Sequence, residues 1–226
     1  MEALVYDVHG NLPALEAVLH DARSADRFVL GGDYALFGGW PKETVERLRA
    51  LPEALWIRGN GERWTASPHD APDNPIAPPG IEAARAALGP QLVADLAALP
   101  ANATRGETLI CHGSPISDVR SFLPEPADDE PELLDNITAK RLIFGHTHLP
   151  FRRHAANGIE LVNPGSVGMP LDGDPRAAYA LVHDDGAIEH RRVAYDHEAS
   201  AAKVRAHDTE WAEVIARRIE HARADV

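Results

Sequence analysis

This sequence is poor in cysteine and has no long apolar segment. Cys111 is the only cysteine among 226 residues, so a disulfide within the chain is excluded. No apolar run approaches the roughly 18 residues that suggest a membrane-spanning helix. The first residues also show neither the basic nor the apolar region of a signal peptide. We therefore expect a cytoplasmic protein that does not associate with membranes.

Basic residues are too few to balance the acidic ones. Lys and Arg total 22 against 35 Asp and Glu, which gives a net charge of −13 with histidine neutral. Most of such a surface would repel a polyanionic duplex. The composition thus argues against stable nucleic-acid binding. A small phosphorylated substrate, a nucleotide for example, can still bind at a local cationic site.

What is present is the composition of an ordinary globular protein, with 44% hydrophobic and 25% charged residues. The apolar pattern alternates strands and helices at first and turns to strands alone from about residue 159. This order predicts an α/β sandwich of two packed sheets. We expect one domain over 1–226, with Pro-rich loops over 64–80 and 115–131 shaping the site and one C-terminal helix over 198–222.

Polar side chains follow five of the predicted strands at the point where each strand ends. They are Asp7 and His9, Asp33, Asn60, His112, and His146 with His148. Ligands of open α/β sheets bind at such carboxyl ends. Mixed nitrogen and oxygen donors suit Mn²⁺, Fe or Zn²⁺ better than Ca²⁺. Seven donors are too many for one such ion and suit two ions that share a bridging carboxylate.

The order of these strings resembles the motifs of the calcineurin-like metallophosphoesterase superfamily. The family pattern of D-x-H, G-D, G-N, H and G-H-x-H corresponds here to Asp7-Val8-His9, Gly32-Asp33, Gly59-Asn60, His112 and Gly145-His146-Thr147-His148. The segments 11–16 and 163–168 resemble the small bacterial phosphodiesterase branch of that superfamily. The chain is therefore identified as a member of this superfamily.

The resemblance implies a fold, a cofactor and a reaction. The fold is a four-layer αββα sandwich of two mixed sheets flanked by helices. The cofactor is a pair of divalent ions, with Mn first and Fe, Zn or Ni as alternatives. The reaction is hydrolysis of a phosphodiester or a nucleotide phosphoanhydride, such as a dinucleoside polyphosphate, by a metal-bridging hydroxide.

The resemblance also implies a role for each donor. Asp7, His9 and His148 would bind the first metal, and Asn60, His112 and His146 the second. Asp33 would bridge both ions. Asp33, Asn60 and His112 would then be the catalytic residues, together with the bridging hydroxide.

One position departs from the family pattern. Much of the superfamily has a histidine after the G-N motif that can protonate the leaving group, and this chain has Gly61 there. Either another acid replaces it, with His69 and His154 as candidates, or the leaving group needs no proton. Nucleotide phosphates have a second pKa of about 6 and therefore depart from the cleaved bond as anions. The second hypothesis favours a phosphoanhydride substrate.

Substrate contacts and competing functions complete the expectations. Asn11, Arg58 and Arg63 are candidate substrate-binding residues, and Arg152 and Arg153 also flank a motif. The alternative activity is that of a phosphomonoesterase or protein phosphatase. A remote alternative is a non-catalytic scaffold on the same fold. The sequence does not specify the oligomeric state.

Overall fold

The computed structural model describes residues 1–225, whose strands form two five-stranded sheets. The strands are β1 (Glu2–Val5), β2 (Arg27–Leu30), β3 (Ala54–Trp56), β4 (Asn102–Arg105), β5 (Thr108–Cys111), β6 (Arg141–Ile143), β7 (Phe151–His154), β8 (Glu160–Asn163), β9 (Ala177–Val182) and β10 (Ile188–Val193). The helices are α1 (Leu12–Asp21), α2 (Pro41–Arg49), α3 (Asn60–Ala66), α4 (Ala77–Ala97), α5 (Glu130–Leu133), α6 (His197–Arg205) and α7 (Glu210–His221).

Both sheets mix parallel and antiparallel pairs. The first has the order β10-β9-β1-β2-β3, in which β1, β2 and β3 are parallel and β9 is antiparallel to β1. The second has the order β4-β5-β6-β8-β7, in which β5, β6 and β8 are parallel. The carboxyl ends of the parallel strands are the edges from which the candidate ligands extend.

The sheets pack against each other through one apolar layer. Leu4 and Val29 of the first sheet share a buried cluster with Ile110, Ile143 and Val162 of the second. Apolar side chains of α1 and α4 cover the outer face of the first sheet, and Phe122 with Leu133 covers the outer face of the second. The predicted α/β sandwich of two mixed sheets flanked by helices is confirmed. Within residues 1–225, no helix combines the length and apolarity needed to cross a bilayer.

The C-terminal segment differs from the single helix expected over 198–222. It forms two helices, α6 and α7, that pack against each other. Helix α6 ends at Arg205, and Asp208 in the following turn has a φ of 52°, in the left-handed region, so one continuous helix cannot pass through it. Thr209 is extended and precedes α7. The turn lets α6 and α7 pack against each other, with Val204 and Trp211 in one buried cluster.

The loop expected over 64–80 is shorter than predicted. Its first residues belong to α3, and its last residues belong to α4. Only a 3₁₀ turn, Pro68–Asp70, and a short coil lie between them. The segment 115–131 is irregular, as expected, and ends in the single turn of α5.

Candidate active site

The seven candidate ligands lie together where the two sheets meet. Four of them follow parallel strands of the first sheet, with Asp7 and His9 sharing one strand end, and three follow parallel strands of the second. The donors after the first sheet are Asp7, His9, Asp33 and Asn60, and those after the second are His112, His146 and His148. Every one of them except His146 is buried. The site therefore depends on how the sheets pack.

Most of these residues have an unusual backbone conformation. Five of the seven have a positive φ, which non-glycine residues rarely adopt: Asp7 at 53°, His9 at 49°, Asp33 at 54°, His146 at 68° and His148 at 59°. Such conformations cost about 1–3 kcal/mol each and persist only where the surrounding structure enforces them. The backbone at the strand ends thus directs these side chains into the site.

One group of donors surrounds Asp7. The Nε2 atoms of His9 and His148 are 3.1 Å apart, and Oδ1 of Asp7 is 3.5 Å from Nε2 of His148. Each ring has its Nδ1 close to a backbone carbonyl, of Leu36 at 3.0 Å and of Met169 at 2.6 Å. Nδ1 must therefore carry the proton, and both Nε2 lone pairs face each other.

This convergence of acceptors suits a cation. Two imidazole lone pairs at 3.1 Å repel each other unless a positive ion or a proton lies between them. Oδ1 of Asp7 is also buried without a hydrogen-bond partner in the part of the chain that the structure describes. Asp7, His9 and His148 place one ligand atom each within 4.8 Å of one another. The donor set fits a transition-metal ion or zinc.

A second group of donors surrounds His112. Its Nδ1 is 2.8 Å from the carbonyl of Gly31, so its Nε2 offers a lone pair. That Nε2 lies 3.0 Å from Oδ1 of Asn60 and 3.5 Å from Oδ1 of Asp33. With the Asn60 amide reversed, its nitrogen would instead donate to His112 and to Nδ1 of His146. The orientation with the oxygen inward suits a cation shared by the three side chains.

Asp33 lies between the two groups. Its Oδ1 is 3.5 Å from Nε2 of His112, and its Oδ2 is 3.9 Å from Nε2 of His9. Each carboxylate oxygen thus faces a different set of imidazoles. The backbone N–H of Gly61 donates to Oδ1 over 2.7 Å and fixes the carboxylate. This is the geometry that a bridging ligand needs.

Glu62 supports this arrangement and was not recognised from the sequence. Its carboxylate accepts hydrogen bonds from the backbone N–H groups of Asp33, Tyr34 and Gly59 at 2.8–2.9 Å. Burial and the charge of Asp33 raise the pKa of Glu62 to about 7. One side chain therefore joins two ligand-bearing loops. In the sequence, this role was indicated only by the position of Glu62 next to the G-N motif.

The electrostatics of the site favour the neutral form that a metal ligand needs at two of the histidines and the charged form at Asp7. Burial and His148 lower the pKa of His9, and burial and His112 lower the pKa of His146 to about 4. Burial alone would raise the pKa of Asp7, but His148, His112 and His9 together hold it below its ordinary value. His112 has a raised pKa because Asp33 and Asp7 outweigh its burial. His9 and His146 are thus held neutral, whereas the buried carboxylates favour positive charge at His112.

Asn11 has a different role from the expected substrate contact. Its side chain caps α1 by accepting from the N–H of Ala14, and it also accepts from the hydroxyl of Ser200. Its amide nitrogen donates to the carbonyl of Gly168 and to the hydroxyl of Tyr195. All its hydrogen-bonding capacity is used inside the protein, so none remains for a substrate.

Arg58 and Arg63 line a cavity beside His112. The cavity has a volume of about 370 Å³, and Ile116 and Val119 form its apolar wall. Nε of Arg58 is buried without a partner in the described chain, while Nη1 donates to the carbonyl of Ala97. Arg58 thus lines the cavity while part of its guanidinium is held by the backbone of α4.

Arg63 is already paired. Its guanidinium donates twice to the Asp118 carboxylate, at 2.7 Å each, which raises the pKa of Arg63. The pair holds the 115–131 segment against α3. Arg63 can therefore contact a substrate only with its outer edge.

Several other candidates lie away from the ligands or are engaged elsewhere. Arg152 pairs with Glu160, and Arg153 pairs with Glu130. His154 pairs in register with Glu160, at the amino end of the parallel strands and thus on the opposite edge from the site. His154 is therefore not a candidate acid.

Residues 2–186 match the family model described as the calcineurin-like phosphoesterase superfamily domain. The phosphodiesterase YfcE of Escherichia coli K12 is 29% identical over 182 residues, covering 79% of this chain and 85% of that protein. An uncharacterised protein of Methanocaldococcus jannaschii is 29% identical over 229 residues and covers 90% of this chain and 91% of its own length.

Solved structures share the whole architecture. A metallophosphoesterase from Sphaerobacter thermophilus superposes with a TM-score of 0.84 at 28% identity, covering 98% of both chains. A hypothetical protein from Pyrococcus horikoshii OT3 superposes with a TM-score of 0.82 at 20% identity, covering 98% of this chain and 99% of its own. At that identity the second likeness shows the fold alone. Both likenesses extend through the C-terminal helices.

Proposed function

Because this chain belongs to the calcineurin-like phosphoesterase superfamily and is a metal-dependent phosphoester hydrolase, we propose that it cleaves a phosphodiester or nucleotide phosphoanhydride, such as a dinucleoside polyphosphate. The observation that carries the proposal is the convergence of histidine lone pairs. Three imidazoles have Nδ1 against a carbonyl and Nε2 turned toward a buried carboxylate. Such an arrangement serves cation binding rather than packing.

The proposed ligand sets follow the two groups. Asp7, His9 and His148 hold one divalent ion, and Asn60, His112 and His146 hold the other. Asp33 is shared between them. Manganese is the proposed ion, because the donors are nitrogen and oxygen without thiolate, with iron, zinc and nickel suited to the same set.

A pair of divalent ions supplies positive charge for the phosphoryl oxygens and lowers the pKa of water enough to make a nucleophile at neutral pH. The protein's own residues hold that chemistry in place. The carbonyls of Gly31, Leu36 and Met169 fix the tautomer and orientation of three imidazoles. Glu62 and the Gly61 N–H hold the Asp33 loop. Charge is thus preorganised before substrate arrives.

The cavity beside His112 is the proposed site for the rest of the substrate. The guanidinium of Arg58 lines this cavity and is the proposed donor to a phosphoryl oxygen. Ile116 and Val119 are 57% and 43% exposed and offer an apolar surface to a base or another organic group. A substrate with both an anionic and an apolar part matches this lining.

The surroundings of Gly61 support an anhydride over an alkyl ester. A Cβ at this position would lie 2.8 Å from Oδ1 of Asp33, closer than real Cβ contacts come. Glycine supplies no side chain, so no acid acts from position 61. A nucleotide leaving group needs no proton at neutral pH, whereas an alkoxide does. A structural neighbour described as a putative diadenosine tetraphosphatase, at 15% identity and a TM-score of 0.56, shares the fold only. The choice of substrate therefore rests on this chemistry.

The test is hydrolysis of diadenosine tetraphosphate by the intact protein supplied with Mn²⁺, followed by chromatography of the products. We expect nucleotide products, with ATP plus AMP or two ADP giving the position of cleavage. Asp33→Asn should reduce the rate at least about 100-fold, because it removes the charge shared by both ion sites. Asp73→Asn, the same change at an exposed loop residue, should not alter it.

Two results would contradict the proposal at different levels. If the tetraphosphate survives while bis(p-nitrophenyl) phosphate is hydrolysed, the anhydride assignment fails and the substrate is a diester. If neither compound is hydrolysed with Mn²⁺, Fe²⁺, Zn²⁺ or Ni²⁺, the proposed activity itself is wrong.

A further inference from the structure

A second cavity lies away from the seven candidate ligands. It has a volume of about 250 Å³ and lies between the start of α2, the first half of α4 and the turn between α6 and α7. None of the seven donors lines it. Its floor consists of glycine and alanine, and its walls carry Phe37, Trp211, Lys203 and His207. Nothing in the proposed hydrolysis uses these residues.

The walls carry positive charge and no carboxylate. No Asp or Glu is among the lining residues, although the chain has 35 acidic residues. The chain has three lysines, of which Lys42 pairs with Glu46 and Lys140 with Glu107. Lys203 has no acidic partner within residues 1–225, and its Nζ lies 6.0 Å from the ring centre of Trp40. The Lys203 ammonium therefore lies beside the cavity without a carboxylate to neutralise it.

The aromatic side chains give the cavity a flat apolar side. The ring centres of Phe37 and Trp211 are 6.4 Å apart, and His207 lies 5.0 Å from Trp211. Phe37 has a φ of 73°, a costly conformation for an aromatic residue that the surrounding structure must enforce. Ligand pockets combine apolar and aromatic walls with a few placed polar groups in this way.

Two glycines keep the cavity open. A Cβ at Gly80 would lie 2.5 Å from the ring of Phe37, and a Cβ at Gly39 would lie 2.5 Å from Cγ of Lys203. Any side chain at either position would therefore displace a wall residue. The cavity depends on these backbone positions as well as on its walls.

We propose that this cavity binds a small planar aromatic carboxylate, separately from the catalytic centre. The Lys203 ammonium pairs with the carboxylate, and the ring lies against Trp211 and Phe37. One or two fused rings match the volume, and a single unpaired ammonium matches a single negative charge. The ring of Phe37 is also stacked on His9, with centres 6.4 Å apart and planes inclined by 29°. A ligand in the cavity therefore contacts the aromatic side chain that backs one metal ligand.

The test uses 2-naphthoate and its uncharged analogue 2-naphthamide, titrated by calorimetry into the intact, Mn²⁺-loaded protein. We expect 2-naphthoate to bind with a Kd on the order of 0.1 mM, typical of a ligand of this size. The amide should bind at least about fivefold more weakly, because it cannot pair with the ammonium. Lys203→Met should weaken 2-naphthoate to the same degree and leave 2-naphthamide unchanged.

Matched variants distinguish binding in this cavity from binding elsewhere on the protein. Lys140→Met makes the same change at a distant lysine and should bind like the parent protein. Ala87→Trp fills the cavity from an exposed position and should abolish binding. Asp33→Asn should retain binding, since the cavity is separate from the metal ligands.

The proposal is overturned if the carboxylate and the amide bind equally, or if Lys203→Met binds 2-naphthoate like the parent. Loss of binding in Asp33→Asn would assign the ligand to the metal centre instead. The rate at which Lys203→Met hydrolyses the phosphorylated substrate should equal that of the parent protein. Failure of this proposal would therefore leave the proposed function intact.

Discussion

At the scale of single residues, Gly61 shows why a missing side chain matters. Its N–H donates to Oδ1 of Asp33, and a Cβ in its place would lie 2.8 Å from the same oxygen. The sequence indicated the absent histidine, and the structure adds that α3 approaches the shared carboxylate closely at this position. The position therefore affects the metal centre as well as the leaving group.

Gly61→Ala should weaken metal binding. The added methyl group must displace the Asp33 carboxylate, so we expect the affinity for Mn²⁺ to fall at least about tenfold, as when a group that supports a metal ligand is lost. Calorimetric titration of Mn²⁺ measures it. Ala66→Ser adds one heavy atom to the same helix outside the site and should bind Mn²⁺ normally. Unchanged affinity in Gly61→Ala would show that Asp33 tolerates the displacement.

At the scale of elements, Glu160 joins three strands of the second sheet. It lies on β8 and pairs with Arg141 of β6 and Arg152 of β7. Burial alone would raise the pKa of Glu160, but its hydrogen bonds to the two arginines hold it below its ordinary value. A carboxyl group with a lowered pKa stabilises the fold above its unfolded-state pKa and loses that effect as pH falls through its folded-state pKa.

Glu160→Gln should therefore lower the free energy of unfolding in a pH-dependent way. We expect a loss of about 1–2 kcal/mol at pH 7, reduced from the buried-pair range because the partner Arg152 is exposed to solvent. The difference from the parent should shrink below about pH 4.5, where the carboxyl begins to protonate. Urea unfolding at pH 7 and pH 3.5 measures both. Glu107→Gln, at an exposed pair with Lys140, should change little, and a pH-independent loss in Glu160→Gln would refute the assigned cause.

Elements with strong apolar patterns could be predicted from the sequence, and edge elements could not. Strand β9, Ala177–Val182, lies in the part of the chain predicted to contain strands alone, because it is apolar and almost wholly buried. Strands β4 and β7 were not predicted, because they lie at sheet edges and are largely polar. The break at Asp208 escaped as well, because a continuous apolar face runs through both C-terminal helices.

The candidate ligands were predictable because each is part of a short motif at a strand end. The groups that orient these ligands could not be predicted from the sequence. The carbonyls of Leu36 and Met169 that orient His9 and His148 are far away in sequence and come from backbone, so residue type carries no signal. Glu62 had a side-chain signal, but its three backbone partners appear only in the folded chain.

At the scale of the whole molecule, the candidate metal centre connects the two sheets. The proposed ligands come from strand ends of both sheets, and Asp33 and His112 approach each other across the boundary at 3.5 Å. The sheets also share one apolar layer. We therefore propose that the chain folds as a single unit whose stability depends on bound metal.

Metal removal should lower the stability of the whole chain in one step. A ligand at 100 times its Kd stabilises the native state by about 2.7 kcal/mol per site. Urea unfolding with Mn²⁺ should therefore show a higher midpoint than unfolding with EDTA, and circular dichroism and tryptophan fluorescence should report the same transition. Asp33→Asn should lose most of the Mn²⁺ effect. Two separate transitions would show that the sheets unfold independently.

The buried thiol has a practical consequence for spectroscopy. Cys111 is 1% exposed and burial raises its pKa, so the native protein presents almost no reactive thiolate. A cysteine introduced on the surface would then be the one site that a maleimide or a nitroxide reagent labels. A nitroxide at position 87, at the mouth of the second cavity, would report paramagnetic coupling to Mn²⁺ and so measure the separation between the two sites without altering the native cysteine.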